Sequence, residues 1–195
     1  MDADKVIWEK FHIHKHDTPP FSPWLKDPTR SHLVEVFAEL GYTKGAEIGV
    51  ASGEFSKEMC EKIPGLHLIC VDPWETYDRV KQDRVDWRYK LAQERLSKYQ
   101  VEFMKMTSME AVAKILDESI DFVYIDGLHM FDAVMMDIIE WSKKVRKGGI
   151  VAGHDYYEFF QSGVIAAVRA YTQAHNIQQW YITKEKEASW FWCKQ

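Results

Sequence analysis

Short apolar runs alternate with helical patterns along most of the chain, and this alternation narrows the fold more than any other feature. The runs are Ala46 to Val50, Leu66 to Val71, Val101 to Met106, Phe122 to Ile125 and Ile150 to Ala152. Between them, apolar residues recur at helical spacing: Phe55, Met59 and Ile63; then Val85, Tyr89, Ala92, Leu96 and Tyr99; then Met109 to Leu116; then Phe131, Val134, Met135, Ile138, Trp141 and Val145. Strands alternating with amphipathic helices build βαβ units, whose right-handed crossovers make a parallel sheet with helices on its faces. A helix at Val164 to His175 then leads into QWYIT and ASWFW, two strand-like runs joined by the charged turn KEKE. They predict a terminal antiparallel hairpin.

Residues 1–29 read differently. HIHKH, TPPFSP and KDPTR mix polar clusters with four of the six prolines, which predicts an irregular arm. Its Trp8, Phe11, Phe21 and Trp24 indicate that it packs on the body, a single domain over 30–195 that starts with a helix at Ser31 to Leu40. At 195 residues and 46% hydrophobic, the chain can bury a core, which excludes disorder as its main state. A net charge of -5 argues against nucleic-acid or membrane binding by bulk electrostatics. Cys60, Cys70 and Cys193 have neither disulfide nor zinc spacing and suit a reducing compartment. No apolar run approaches the roughly 20 residues of a membrane span, and the acidic start MDADKVIWEK does not resemble a signal peptide. The expectation is a soluble, cytoplasmic protein. Eight Trp, nine Tyr and ten Phe exceed what a small core needs. Phe122, Tyr124, Phe131 and Trp141 are assigned to the core. Trp8, Phe11, Phe21, Trp24, Trp74, Tyr77, Tyr156 and Tyr157 are assigned to the arm or to an aromatic wall around a ligand pocket.

In open α/β sheets, ligands bind beyond the carboxyl ends of the strands. After the first run comes Glu47-Ile48-Gly49-Val50-Ala51-Ser52-Gly53, whose glycines permit a sharp turn and close approach of a ligand. Asp72 ends the second run about 20 residues on, where a carboxylate can accept both ribose hydroxyls. Together they indicate an adenosine-containing ligand. Ala51 and Glu54 replace the second and third glycines of a dinucleotide motif, and a carboxylate at that helix start disfavours pyrophosphate. It tolerates S-adenosylmethionine, which is cationic and carries no phosphate; Glu47 would be a counter-charge. The plain alternative for Glu54 is complementarity with the helix dipole. Trp74 and Tyr77 open either a lid over the ligand or an ordinary solvated helix start.

The fourth run ends in Asp126-Gly127-Leu128-His129 and the fifth in His154-Asp155-Tyr156. With those strands adjacent, Asp126, His154 and Asp155 would share one rim as ligands for a divalent cation, magnesium or manganese. His129, with an ordinary pKa near 6.5, would be a general base. Taken singly, Asp126 could cap a helix, His129 could be a first-turn polar residue and His154 could bond backbone. Their concentration after adjacent strands favours a working site.

AEIGVASGEFS and VDPW resemble the first and second motifs of class I S-adenosylmethionine-dependent methyltransferases, and the closing hairpin resembles their last two strands. The resemblance covers about residues 42–195 and implies a Rossmann-like, doubly wound, seven-stranded sheet, mostly parallel with a C-terminal antiparallel hairpin. It implies cofactor contacts from Glu47, Gly49, Gly53 and Asp72, with Thr107 and Ser108 near the adenine. FVYIDGLHMFDAVMMDIIEW followed by KGGIVAGHDY is similar to the metal-dependent catechol, macrolide-sugar and cephalosporin-type O-methyltransferases. That likeness implies Asp126, His154 and Asp155 as metal ligands and His129 as base, with Asp126 also beside the cofactor. His154 stands where that group usually has a carboxylate. The expected activity is methyl transfer to a hydroxyl of a sugar, vicinal diol or catechol-like small molecule. The alternatives are a metal-independent methyltransferase and a non-catalytic S-adenosylmethionine-binding module. The arm and the Trp-bearing hairpin leave a homodimer open. His12, His14 and His16 fall on one face of a strand, where a surface segment is favoured over a metal site.

Overall fold

The computed structural model describes residues 2–13, 19–21, 28–76, 80–159 and 162–195. The five runs form parallel strands β1 (Lys44–Ile48), β2 (His67–Val71), β3 (Gln100–Met104), β4 (Ile120–Ile125) and β5 (Val145–Gly153), and the hairpin supplies β6 (Tyr181–Ile182) and β7 (Trp190–Cys193). They make one seven-stranded sheet in the order β3-β2-β1-β4-β5-β7-β6, with β7 antiparallel to both of its neighbours. The helices are α1 (Ala3–Phe11), α2 (Arg30–Glu39), α3 (Glu54–Lys62), α4 (Gln82–Leu96), α5 (Ser108–Val112), α6 (Phe131–Lys144) and α7 (Val164–Ala174). The expected α/β architecture is therefore present.

Parallel strands are covered on both faces, which is why their sequences are apolar runs and not alternating patterns. Two cores result. Ile7, Phe11, Leu33, Phe37, Phe55, Met59 and Leu96 pack against one face of the sheet. Ala111, Val134, Ile138, Trp141, Val164 and Val168 pack against the other. No helix among the described residues is long and apolar enough to cross a membrane.

The N-terminal segment departs from expectation. Residues 3–11, read as irregular, form α1, because the Asp2 side chain accepts from Asp4 and Lys5 backbone N–H groups and Ala3, Ile7 and Phe11 line one face at four-residue intervals. The helix is bound to the terminal hairpin. Trp8 Nε1 donates to the Tyr181 hydroxyl at 2.8 Å, Tyr181 donates to Asp4 Oδ1 at 2.9 Å, and the Phe11 and Phe191 rings lie 5.7 Å apart. Phe21 forms a single parallel bridge with Tyr181, so the short β6 edge is covered rather than left as an open template. His12 caps α1 in the left-handed conformation. Trp24, His14, His16 and Tyr77 lie outside the described residues.

Much of the aromatic excess is thus spent fastening α1 to β6 and β7, not walling a ligand pocket. Phe131, expected in the core, is 41% exposed at the start of α6. Tyr156, expected at the rim, is buried.

If α1 is an integral layer, Phe11→Ala should cost about 3–5 kcal/mol in urea unfolding, the range for deleting a buried aromatic. A loss below about 1 kcal/mol would show that the helix is a loosely attached arm.

Candidate active site

Register sets the site. Val71, Ile48, Ile125 and Gly153 are partners across β2, β1, β4 and β5, so these neighbouring strands end level. The next residues along each chain segment, Asp72, Gly49, Asp126 and His154, therefore stand in one row. The ladder continues into the loops: Gly49 N donates to Val71 O at 2.8 Å, Asp126 N to Ile48 O at 2.7 Å and His154 N to Ile125 O at 3.0 Å. Gly49 has φ +90°, and a Cβ there would lie 2.0 Å from the Asp126 carbonyl oxygen. Only glycine fits this junction.

On the β1–β2 side, Asp72 ties two loops together. Its Oδ2 accepts from Ala51 N at 2.9 Å and its Oδ1 from Trp74 N at 2.7 Å. Ala51 and Trp74 both have positive φ, 48° and 45°, a conformation these bonds hold in place. Burial raises the Asp72 pKa against those backbone donors. Trp74, expected beside the ligand, is instead 2% exposed in the core. Its ring lies 4.5 Å from Tyr89 and 6.0 Å from Phe103, and its Nε1 donates to Ala51 O at 2.9 Å. Burying so large an apolar surface outweighs presenting it to solvent.

Glu47 is likewise enclosed, at 2% exposed, and accepts a hydrogen bond from the Ser56 hydroxyl on α3. Burial, above all, raises its pKa to about 8. It is therefore mainly neutral at pH 7 and is no standing counter-charge. Glu54 turns to Arg95 Nη2 at 3.0 Å while Arg95 Nη1 holds Ser52 O at 2.7 Å, which partly neutralises the charge assigned to that helix start. Gly53 is the N-cap residue of α3. Thr107 caps α5 by a reciprocal bond pair with Glu110. Ser108 donates to Asp137 Oδ1 on α6 and accepts from Trp141 Nε1 at 2.8 Å.

On the β4–β5 side, the acidic and imidazole groups converge. One donor atom from each of Asp126, His154 and Asp155 lies within 4.8 Å of the others. His154 Nδ1 is 3.7 Å from Asp126 Oδ2 and 3.4 Å from Asp155 Oδ1. Asp155 has φ +58°, an uncommon conformation for a residue with a side chain. His129 Nε2 lies 2.8 Å from Asp155 Oδ2 and 3.8 Å from Asp126 Oδ1. The close contact is out of line, and Nε2 is an enclosed nitrogen without a well-directed hydrogen bond among the described residues. The four side chains predicted from sequence are thus brought together.

Their charges interact. Asp126 first, then Asp155, raises the His129 pKa from its ordinary value to about 9, against the effect of burial. The unperturbed value expected from sequence does not hold: His129 is mainly protonated at pH 7 while both carboxylates face it. Burial works to raise the Asp155 carboxyl, but His129 and His154 outweigh it and hold it well below the usual range. The two carboxylates and the His154 imidazole are a donor set that fits a divalent cation.

The scaffold fixes these groups from behind. Gly163 N donates to His129 O at 2.7 Å, and a Cβ on Gly163 would collide with Phe131 N at 2.3 Å, so this glycine permits the α7 start to clamp the His129 loop. Trp190 Nε1 donates to His154 O at 3.2 Å. The Phe159 ring meets His129 edge-on at 5.4 Å and stacks with Tyr157 at 4.7 Å, leaving an aromatic pair beside the imidazole.

Two neighbours were missed from sequence. Arg30 at the start of α2 sits 4.6 Å over the Phe55 ring and interacts electrostatically with Tyr124 and Asp126. Asp137 is buried on α6. The signal for Asp137 was present: a carboxylate lies in the apolar stripe Val134, Ile138 and Trp141. Nothing comparable marks Arg30.

A family profile described as a methyltransferase domain matches residues 46–156, from β1 through the β5 rim. No match was found among curated proteins. The fold is shared with a putative O-methyltransferase from Klebsiella pneumoniae at TM-score 0.62 and 13% identity, covering 99% of this chain and 90% of that one. An O-methyltransferase from Bacillus cereus, solved in complex with SAH, aligns at TM-score 0.63 and 12% identity over 100% of this chain and 90% of its own. A putative caffeoyl-CoA O-methyltransferase from Staphylococcus aureus aligns at TM-score 0.63 and 13% identity over 100% and 93%.

Glu47 gives a pH prediction. Its folded pKa of about 8 lies above the ordinary carboxylate value, so between about pH 4.5 and 8 the folded state keeps a proton that the unfolded state loses. Stability should fall as pH rises through that window, and Glu47→Gln should remove part of the fall in urea unfolding from pH 5 to 8. An unchanged slope would contradict burial of a neutral Glu47.

Proposed function

Because this chain belongs to the methyltransferase-domain family, we propose that it moves the methyl group of S-adenosylmethionine to a hydroxyl of a small molecule, with a divalent cation at Asp126, His154 and Asp155. The observation that carries this reading is the meeting of those three residues with His129 at the level ends of β4 and β5, beside the Gly49 junction. A sugar, vicinal diol or catechol-like acceptor suits a site whose ligands can gather two neighbouring oxygens. Solved structures of the same fold in complex with SAM or with SAH support the choice of methyl donor.

A hydroxyl is a weak nucleophile at pH 7. A divalent cation held by Asp126, His154 and Asp155, magnesium or manganese, would supply the Lewis acidity that lowers the pKa of an acceptor hydroxyl. S-adenosylmethionine supplies a methyl group activated by its sulfonium. The chain's own residues do the rest. Asp126, His154 and Asp155 hold and orient the acceptor end. His129 takes the hydroxyl proton as the O–CH3 bond forms and the S–CH3 bond breaks, and its role as base requires Asp126 and Asp155 to be engaged elsewhere. Asp72, with Ala51 and Trp74 fixed on it, shapes the ribose end. The Gly163 clamp holds the imidazole in place, which is the proximity contribution.

Turnover with a catechol or sugar-diol acceptor, followed by mass spectrometry, should cease in EDTA and return with manganese. His129→Ala should lower turnover by about 10²–10⁴-fold while calorimetric affinity for S-adenosylmethionine changes little. Full turnover in EDTA would remove the cation from the account and leave His129 alone as base. Lost cofactor affinity in the alanine variant would contradict the role of His129.

A further inference from the structure

A cation at the rim has no part in the chemistry described so far. Arg30, the first residue of α2, is half-buried, and its guanidinium lies 4.6 Å over the Phe55 ring. That ring lies 4.5 Å from the ring of Tyr124 on β4. Tyr124 and Asp126 are two residues apart at the end of one strand, so they project to the same face of the sheet. Arg30 therefore stands on the α2–α3 side of Asp126.

Its backbone and side chain are held separately. Arg30 N donates to both Glu185 carboxylate oxygens at 2.9 Å. The same carboxylate accepts from the Thr183 hydroxyl at 3.0 Å and from the Ser189 hydroxyl at 3.3 Å. With its own proton spent there, Ser189 accepts from the Tyr124 hydroxyl at 2.8 Å. Glu185 is thus committed to the β6–β7 turn and the start of α2, while Asp126 faces His129 and His154, so no carboxylate among the described residues closes an ion pair on the guanidinium. Burial opposes the Arg30 charge, and Tyr124, Asp126 and Glu185 together outweigh it. A planar fork of N–H donors is costly to leave part-buried and unfilled. Two parallel donors match a carboxylate. A phosphate fits the fork as well but would bring nearly two negative charges to a rim that already holds Asp126, Asp155 and Glu185. A carboxylate, with a single charge, is the better match.

We propose that Arg30 reads a carboxylate on the methyl acceptor, which makes the acceptor a diol that also carries an acid group. This rests on methyl transfer to a diol hydroxyl being the reaction. Position favours the acceptor over the donor: Arg30 packs by β4 and the β6–β7 turn, on the Asp126 side of the rim, whereas Asp72, at the ribose end, lies two strands away at the end of β2.

Two pairs of acceptors differ only in an acid group against a hydroxymethyl group: 3,4-dihydroxybenzoate and 3,4-dihydroxybenzyl alcohol, and glucuronate and glucose. With S-adenosylmethionine and manganese, the wild-type protein should show a kcat/KM about tenfold or more higher for the acid of at least one pair, the scale of a hydrogen bond to a charged group. Arg30→Gln should raise KM for that acid by about tenfold and erase the preference. Arg30→Lys, which keeps the charge without the fork, should restore part of it. Calorimetric affinity for S-adenosylhomocysteine should stay within about twofold in both variants, which also shows that they fold. An acid preference that survives Arg30→Gln, or a wild type that methylates a neutral compound as well as its acid, overturns the proposal while methyl transfer stands. Weaker binding of S-adenosylhomocysteine by Arg30→Gln would give the guanidinium to the donor's own carboxylate and also overturn it. A wild type that methylates none of the four overturns the proposal and the diol reading together.

Discussion

Where β1 and β4 end, the two backbones touch, and the site depends on that contact. Asp126 N is bonded to Ile48 O at 2.7 Å, and the space a Cβ on Gly49 would fill is occupied by the Asp126 carbonyl. Asp126 is thus positioned by β1 as well as by its own strand. The same junction turns the β1 loop back across the cleft toward Asp72, which binds it through Ala51 N. One close approach couples the loop held by Asp72 to the Asp126 carboxylate. This is the reason a parallel sheet with level strand ends is a good platform: small backbone contacts set the relation between groups far apart in sequence.

The second constraint is charge. Two carboxylates and two imidazoles occupy a volume a few ångströms across, and the chain stabilises them only in part: His129 is held protonated, Asp155 is held ionised, and one imidazole nitrogen is left without a well-directed partner. Backbone conformation adds to this. Ala51, Trp74 and Asp155, all with positive φ, follow the ends of β1, β2 and β5. Strained backbone persists where surrounding contacts enforce it, and here those contacts are Asp72 and the β5–β7 pairing. The surroundings therefore hold a tense, charge-rich rim on an otherwise well-satisfied scaffold.

What was legible in the sequence followed from periodicity and position. Apolar runs separated by amphipathic stretches located all five parallel strands, and residues just past those runs located Asp72, Asp126, His129, His154 and Asp155. The failures share a physical cause: a side chain's type does not tell which way it faces. Trp74 was read as either a lid or a solvated helix start because it follows Asp72, yet its indole is buried against Tyr89. Phe131 looked like core but its side chain is 41% exposed at the start of α6. α1 was hidden among the prolines and histidines that follow it, although Asp2 and the Ala3, Ile7, Phe11 spacing encode it. β5 starts at Val145, earlier than its apolar run: Val145 pairs with Ile120, and the register then shifts so that the charged Arg146 and Lys147 fall between the two paired positions. Glu47 and His129 were assigned ordinary ionisation from their identities, and burial in one case and two carboxylates in the other changed it.

The central claim is that the level ends of β1, β2, β4 and β5 bring a methyl donor and a cation into one cleft. A crystal structure with S-adenosylhomocysteine and manganese, using anomalous diffraction to find the metal, tests it most directly. The account predicts a manganese peak bounded by Asp126, His154 and Asp155, with the thioether sulfur near Gly49 and the ribose at Asp72. A metal bound elsewhere, or a nucleoside bound away from these strand ends, would contradict it.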